Sequence, residues 1–274
     1  MNSWGVALVL GIVEGLTEFL PVSSTGHLII AGNLLGFVGD KASSFEVAIQ
    51  LGAILSVVLL YWHRFVGLIP TKKSSSSPET STLAGWSGLW RIAVATFPAL
   101  LIAFVARRPI KEKLFNPESV AWALAVGGVA ILIVERMMSQ RKSAALDTLT
   151  TAQALGIGLF QVLALWPGTS RAAATIIGGM LLGLDRKGAA EFSFLIAVPV
   201  LFAASGYELV KMRNQLAFED SLALAIGFVV SFIVALITVK VFVRFLSHGK
   251  LAPFAWYRIV VAPIFYYLTR GSSL

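Results

Sequence analysis

Six stretches of this 274-residue chain are apolar and long enough to cross a bilayer, which leaves only transmembrane helices or a closed barrel. They cover residues 45–63, 88–106, 120–134, 192–210, 222–243 and 252–268, the third being the shortest. Barrel strands would need about ten residues of strict apolar/polar alternation, and the sequence has none. The fold class is therefore an all-α polytopic membrane protein. Hydrophobic residues make up 57% of the chain and charged residues 13%, against about 45–50% and 25% in soluble domains. Trp62, Trp90, Trp122, Trp256 and Tyr257 lie near segment ends, where interfacial anchors sit. The start of the chain lacks a basic region, and glutamates interrupt its apolar stretch, so it does not read as a cleavable signal peptide. With no cysteine there is no disulfide, and the net charge of +8 fits basic loops and lipid headgroups rather than nucleic acid. Residues 72–82 read as a flexible serine-rich loop, and 107–113 and 136–142 as basic loops.

Two regions fit neither span nor loop. In residues 1–37, a helical pattern runs from Trp4 to Leu20, Pro21 ends it, and a short helix follows. In residues 150–184, Trp166-Pro167-Gly168 separates two more short helices. A short helix, a Pro/Gly break and a second short helix suggest a re-entrant hairpin, whose irregular backbone needs protein or water around it. The regions also resemble each other. Gly15-Leu16-Thr17-Glu18-Phe19-Leu20 aligns with Gly158-Leu159-Phe160-Gln161-Val162-Leu163, and each passes through proline into hydroxyl residues. The expectation is one integral membrane domain, 1–274, built as an inverted-topology repeat. Residues 1–142 and 143–274 would each hold one hairpin and three spans, six transmembrane helices in all.

Polar groups at bilayer depth are costly and mark function. Glu14 and Glu18 are four apart and share a helical face, with Gly11 and Gly15 allowing close backbone approach. The pair either holds a divalent cation, Mg²⁺ or Ca²⁺, or shares a proton. Ser23, Ser24 and Thr25 open the next short helix, and three hydroxyls exceed what one N-cap needs. His27 follows within a turn, in reach of a serine as a base for a nucleophile. In the second hairpin, Gly168 permits a tight turn, while Thr169 and Ser170 start a helix whose amides favour anions. Arg171 adds a charged fork suited to phosphate oxygens. Carboxylates, a Ser/His pair and an arginine beside a helix start suit phosphoryl transfer.

These motifs resemble the undecaprenyl pyrophosphate phosphatase, or bacitracin-resistance, family. The resemblance is carried by Glu14 through His27, by Leu165 through Arg171 with Ala174-Thr175-Ile176, by Phe45 through Gly52, and by Ala190 through Phe194. It implies a metal-dependent enzyme of the bacterial cytoplasmic membrane, its active site facing outward. Such an enzyme hydrolyses undecaprenyl pyrophosphate to undecaprenyl phosphate and inorganic phosphate, recycles the wall-polymer carrier and confers bacitracin resistance. Residue by residue, Glu14 and Glu18 become metal-site or acid/base carboxylates and Ser24 with His27 the nucleophilic pair. Arg171 with Ser170 and Thr169 would hold phosphate, and Ser23, Thr25 and Thr175 would support it. The motif leaves open whether Ser24 or His27 attacks. The chain departs from the family at Ala172-Ala173, where Ser-Gly is usual, which implies one contact fewer or a tighter pocket.

Partners implied are the lipid substrate and membrane lipid, with no nucleic acid; a homodimer is compatible. The rival reading is a carrier or flippase for a lipid phosphate, because broken helices in inverted repeats are typical of transporters. A carrier needs no nucleophile, and a structural scaffold would have no reason to place these groups at depth. The charge bias of the loops orients the chain weakly.

Overall fold

The structure, a computed structural model, describes residues 3–70, 82–138, 143–212 and 221–271. Among them the chain is helical, apart from an isolated bridge between Ala144 and Leu184. The helices are α1 (Ser3–Thr17), α2 (Ser24–Leu35), α3 (Asp40–Leu60), α4 (Trp62–Gly67), α5 (Gly85–Leu114) and α6 (Pro117–Met138). After a 3₁₀ turn at Leu146–Thr148 come α7 (Thr151–Leu163), α8 (Arg171–Leu181), α9 (Arg186–Met212), α10 (Ser221–Leu246) and α11 (Ala252–Thr269).

Among the described residues, α5, α6, α9 and α10 are each long and apolar enough to cross a membrane. The other two expected spans are weaker: α3 carries a shorter apolar stretch, Phe45–Leu60, and α11 contains Arg258 and Pro263. Large apolar side chains such as Trp86, Phe104 and Tyr267 point outward, as a lipid-facing surface requires. The serine-rich stretch lies outside the described residues except for Thr82, as do residues 139–142 of the second basic stretch.

One expected loop is helical. Residues 107–113 form the last turns of α5. Arg107 donates there to Glu208 at 3.0 Å and to the Tyr207 hydroxyl, so α9 supplies partners that let the helix run on past its apolar part. Basic side chains near a helix C-terminus also suit its dipole.

Both breaks form as expected. α1 and α7 have 15 and 13 residues, α2 and α8 have 12 and 11. At about 1.5 Å per residue each is well short of the roughly 30 Å hydrocarbon core. The two hairpins share local devices. α2 starts after Ser23 (φ 76°) and α8 after Ser170 (φ 70°), and these are the only non-glycine residues with positive φ among those described. Each serine oxygen caps its helix, accepting from Gly26 N at 3.5 Å and Ala173 N at 3.2 Å. Each second helix ends on a left-handed glycine, Gly36 or Gly183, with a closing bond from the next residue: Phe37 N to Gly32 O at 2.9 Å, Leu184 N to Gly179 O at 3.0 Å.

Each first helix packs on a long helix distant in sequence, α1 on α10 and α7 on α5. Small residues permit the approach: a Cβ added at Gly15 would sit 2.8 Å from Ser231 O, and one at Gly158 2.5 Å from Ala95 O. Between these pairs, α3 meets α9 and α6 meets α11. The largest apolar cluster lies at the centre, where Phe19 meets Phe194 edge-on with ring centroids 5.5 Å apart.

Candidate functional site at the meeting of the two hairpins

Glu18 stands just past the end of α1, where its backbone N–H still bonds Glu14 O at 2.9 Å. Its side chain turns inward beside the Phe19 anchor and is buried. The first residue of α2, Ser24, donates its hydroxyl to Glu18 Oε2 at 2.6 Å. The first residue of α8, Arg171, donates Nη2 to Glu18 Oε1 at 3.3 Å. The matched N-terminal residues of the two short helices thus meet on one carboxylate. The dipoles of both helices add positive potential at the same place.

Arg171 is held from behind as well. Its Nη1 donates to Ser193 O at 3.0 Å; Thr175 Oγ1 donates to Arg171 O at 2.8 Å and pairs with the Ser193 hydroxyl at 2.6 Å. The guanidinium lies 5.6 Å from the Phe19 ring centroid, and its Nε is buried without a partner. A buried donor left unmatched is costly.

Glu14 lies one turn below Glu18, 1% exposed, and neither carboxylate oxygen has a hydrogen-bond partner. Glu18, Glu46 and Arg171 lie within its electrostatic reach. A buried carboxylate with both oxygens unmatched is costly as an anion, and a hard cation or a proton would relieve that cost. No three His, Cys, Asp or Glu side chains converge as a ready-made cage among the described residues. Mg²⁺ is commonly bound by one or two carboxylates and completed by phosphate and water, so Glu14 with Glu18 fits that pattern.

The expected Ser24–His27 bond does not form. His27 Nδ1 meets Ser23 O at 2.7 Å, and Nε2 meets the Tyr257 hydroxyl at 2.7 Å, the rings stacked 6° from parallel. A carbonyl only accepts, so Nδ1 carries a proton, and Nε2 is left to pair with the Tyr257 hydroxyl. The α-helix explains this: His27 is four residues after Ser23, so its ring reaches back to that carbonyl, while Ser24 points to Glu18. Tyr257, expected as an interfacial anchor, is a partner of the site.

The remaining residues are spread around this centre. Ser170 Oγ donates to Leu20 O at 3.5 Å besides capping α8, tying one break to the other. Thr169 offers its carbonyl to Arg258, and Thr25 is exposed. Ala172 and Ala173, where the chain departs from the family pattern, belong to the main apolar core. Sequence reasoning passed over Ser193, Tyr257 and Arg258. The signal for Arg258 was there, a lone basic residue in the middle of an apolar segment.

Residues 7–264 match the model of the bacitracin resistance protein BacA family. The undecaprenyl-diphosphatase of Maridesulfovibrio salexigens is 54% identical over 264 residues, covering 96% of this chain and 98% of the relative. That of Solidesulfovibrio magneticus is 54% identical over 256 residues, covering 93% and 94%. That of Nitratidesulfovibrio vulgaris is 52% identical over 268 residues, covering 97% and 98%.

Proposed function

The chain belongs to the bacitracin resistance protein family, and from that premise we propose that it is an undecaprenyl-diphosphatase working at the meeting of its two hairpins. The observation that carries the site assignment is the shared carboxylate: Glu18 bonds Ser24 of one hairpin and Arg171 of the other. A hydroxyl 2.6 Å from a carboxylate is a nucleophile with its base, and a cationic fork beside it is an electrophilic clamp. A carrier needs to hold phosphate but has no use for that pair.

Ser24 is the attacking group in this reading. Its Oγ bonds to the terminal phosphorus while the bond to the bridging oxygen breaks, and that oxygen leaves with undecaprenyl phosphate. The hydroxyl proton goes to Glu18 Oε2 and then to the departing lipid phosphate. Water next attacks the phosphoserine and gives a proton to Glu18. Ser24 Oγ recovers that proton as inorganic phosphate leaves. Arg171 stabilises the charge on the non-bridging oxygens in both steps, as arginines do in other phosphoryl transfers. The free backbone amides at the starts of α2 and α8 contribute in the same sense. When bound at Glu14 and Glu18, a divalent cation would neutralise pyrophosphate charge. His27 holds the first break against Tyr257 and does not attack.

The rest of the reading concerns placement. Six spans and two re-entrant hairpins form an inverted repeat in a bacterial cytoplasmic membrane, the site opening outward to recycle the wall-polymer carrier. High activity would then confer bacitracin resistance. The paired caps, left-handed serines and crossed packing of α1 and α7 support the repeat.

Phosphate release from undecaprenyl pyrophosphate by the purified protein tests this function. Release that stops with EDTA and returns with Mg²⁺ or Ca²⁺ is the expected outcome. Substrate binding without release would turn the reading toward a carrier.

A further inference from the structure

Arg258 is fully buried on α11, a cation inside the membrane domain. A guanidinium has five N–H donors. Here they meet five backbone carbonyls. Nε donates to Leu124 O at 3.2 Å, Nη1 to Pro21 O at 3.2 Å and Thr169 O at 2.9 Å, and Nη2 to Ala123 O at 3.0 Å and Gly168 O at 3.0 Å. Two of these acceptors lie on α6. The other three are the two breaks: Pro21 from the first hairpin, Gly168 and Thr169 from the second.

Those break carbonyls are what helix interruption leaves without helical partners. Buried backbone acceptors must be matched, and at this depth lipid offers nothing. Gly127 of α6 makes room for it, since a Cβ there would collide with Nη2 of Arg258. Gly168, whose φ is 94°, lets the second break lie close on α6, where a Cβ would stand 2.6 Å from Val120 O. An arginine that only joined α11 to α6 would need the carbonyls of Ala123 and Leu124 alone.

We propose that Arg258 is the positioning residue that fastens the two re-entrant breaks to each other and so sets the separation of Ser24 from Arg171. It touches neither of them. It holds Pro21, three residues before Ser24, and Gly168 and Thr169, just before Ser170 and Arg171. Tyr257, the preceding residue, holds His27, so one turn of α11 grips both hairpins. The inference rests on the phosphatase reading for its kinetic arm only.

The chain has no native cysteine, so two introduced ones can be labelled cleanly. Leu16→Cys and Leu163→Cys place spin labels on exposed positions near the two breaks. Double electron–electron resonance without substrate should give one narrow distance in the parent. The distribution should broaden in Arg258→Met, which keeps the bulk and loses the fork, and in Gly127→Ala, which displaces it. Gly206→Ala, where an added Cβ meets nothing within 4 Å, should leave it narrow. In unlabelled protein, phosphate release should lose on the order of 10²-fold in kcat with KM little changed, the scale of a misplacement of about 1 Å. Arg258→Lys should fall between.

A folded Arg258→Met with the parent's narrow distance would overturn the proposal, whatever its turnover. If that variant does not fold, Gly127→Ala decides, and parent-like distance and kcat there would overturn it equally. Failure of the parent to release phosphate would count against the proposed function alone, since the distance arm needs no substrate.

Discussion

The two hairpins share a backbone plan but not a chemistry. Ser23 and Ser170 take the same rare conformation, cap the same kind of short helix, and precede the residue that meets Glu18. That residue is a hydroxyl in the first hairpin and a guanidinium in the second. The acid also lies on one side only: Glu18 aligns with Gln161, whose Nε2 merely donates to Ala95 O at 3.2 Å. The two hairpins bring two helix starts to one point, one presenting a hydroxyl bonded to the carboxylate and the other a guanidinium. In the proposed reaction the first would carry nucleophile and base and the second the anion clamp, a division that holding phosphate alone would not need.

Substitutions on either side should separate these contributions. Glu18→Gln strikes the carboxylate on which Ser24 and Arg171 meet, and phosphate release should fall by about 10³-fold or more, because base and arginine partner go together. Arg171→Ala should cost about 10³-fold. Arg171→Lys should recover little of it, because a single ammonium cannot replace a fork bonded to both Ser193 and Glu18. His27→Ala should cost only about tenfold, well below the 10²–10⁴ of a direct proton-transfer group, since its ring holds the break and does not reach Ser24. Loss comparable to Glu18→Gln would restore His27 to the chemistry. The smallest effects belong to the shared backbone. Ser23→Ala and Ser170→Ala should each lose about 1 kcal/mol of stability with the cap. The glycine variants should lose only a few tenths, because glycine accepts positive φ without strain. Thermal unfolding in detergent checks both pairs.

Much of this was legible in the sequence, for identifiable reasons. Apolar runs announced the long helices, and Pro21 and Pro167-Gly168 announced the breaks, because proline removes a donor and glycine admits positive φ. Polar residues in apolar surroundings announced Glu14, Glu18, Ser24 and Arg171. What stayed hidden depends on where side chains point across the fold. Linear spacing allowed Ser24 to meet His27, but α2 turns them toward different partners. Residues 107–113 read as a loop because their charge suggested solvent, whereas Glu208 of a distant helix keeps them helical. Arg258 and Ser193 serve through backbone and neighbouring groups 18 to 237 residues away, which no local pattern encodes.

The central claim is that the two hairpins form one catalytic unit around Glu18. A double-mutant cycle on phosphate release with Ser24→Ala, Arg171→Ala and the combined variant tests it most directly. Groups that act together lose no more in combination than in the worse single variant. The expected result is a combined variant within a few-fold of the slower single one. Losses that multiply would mean that the hairpins contribute independently, and would contradict the shared site.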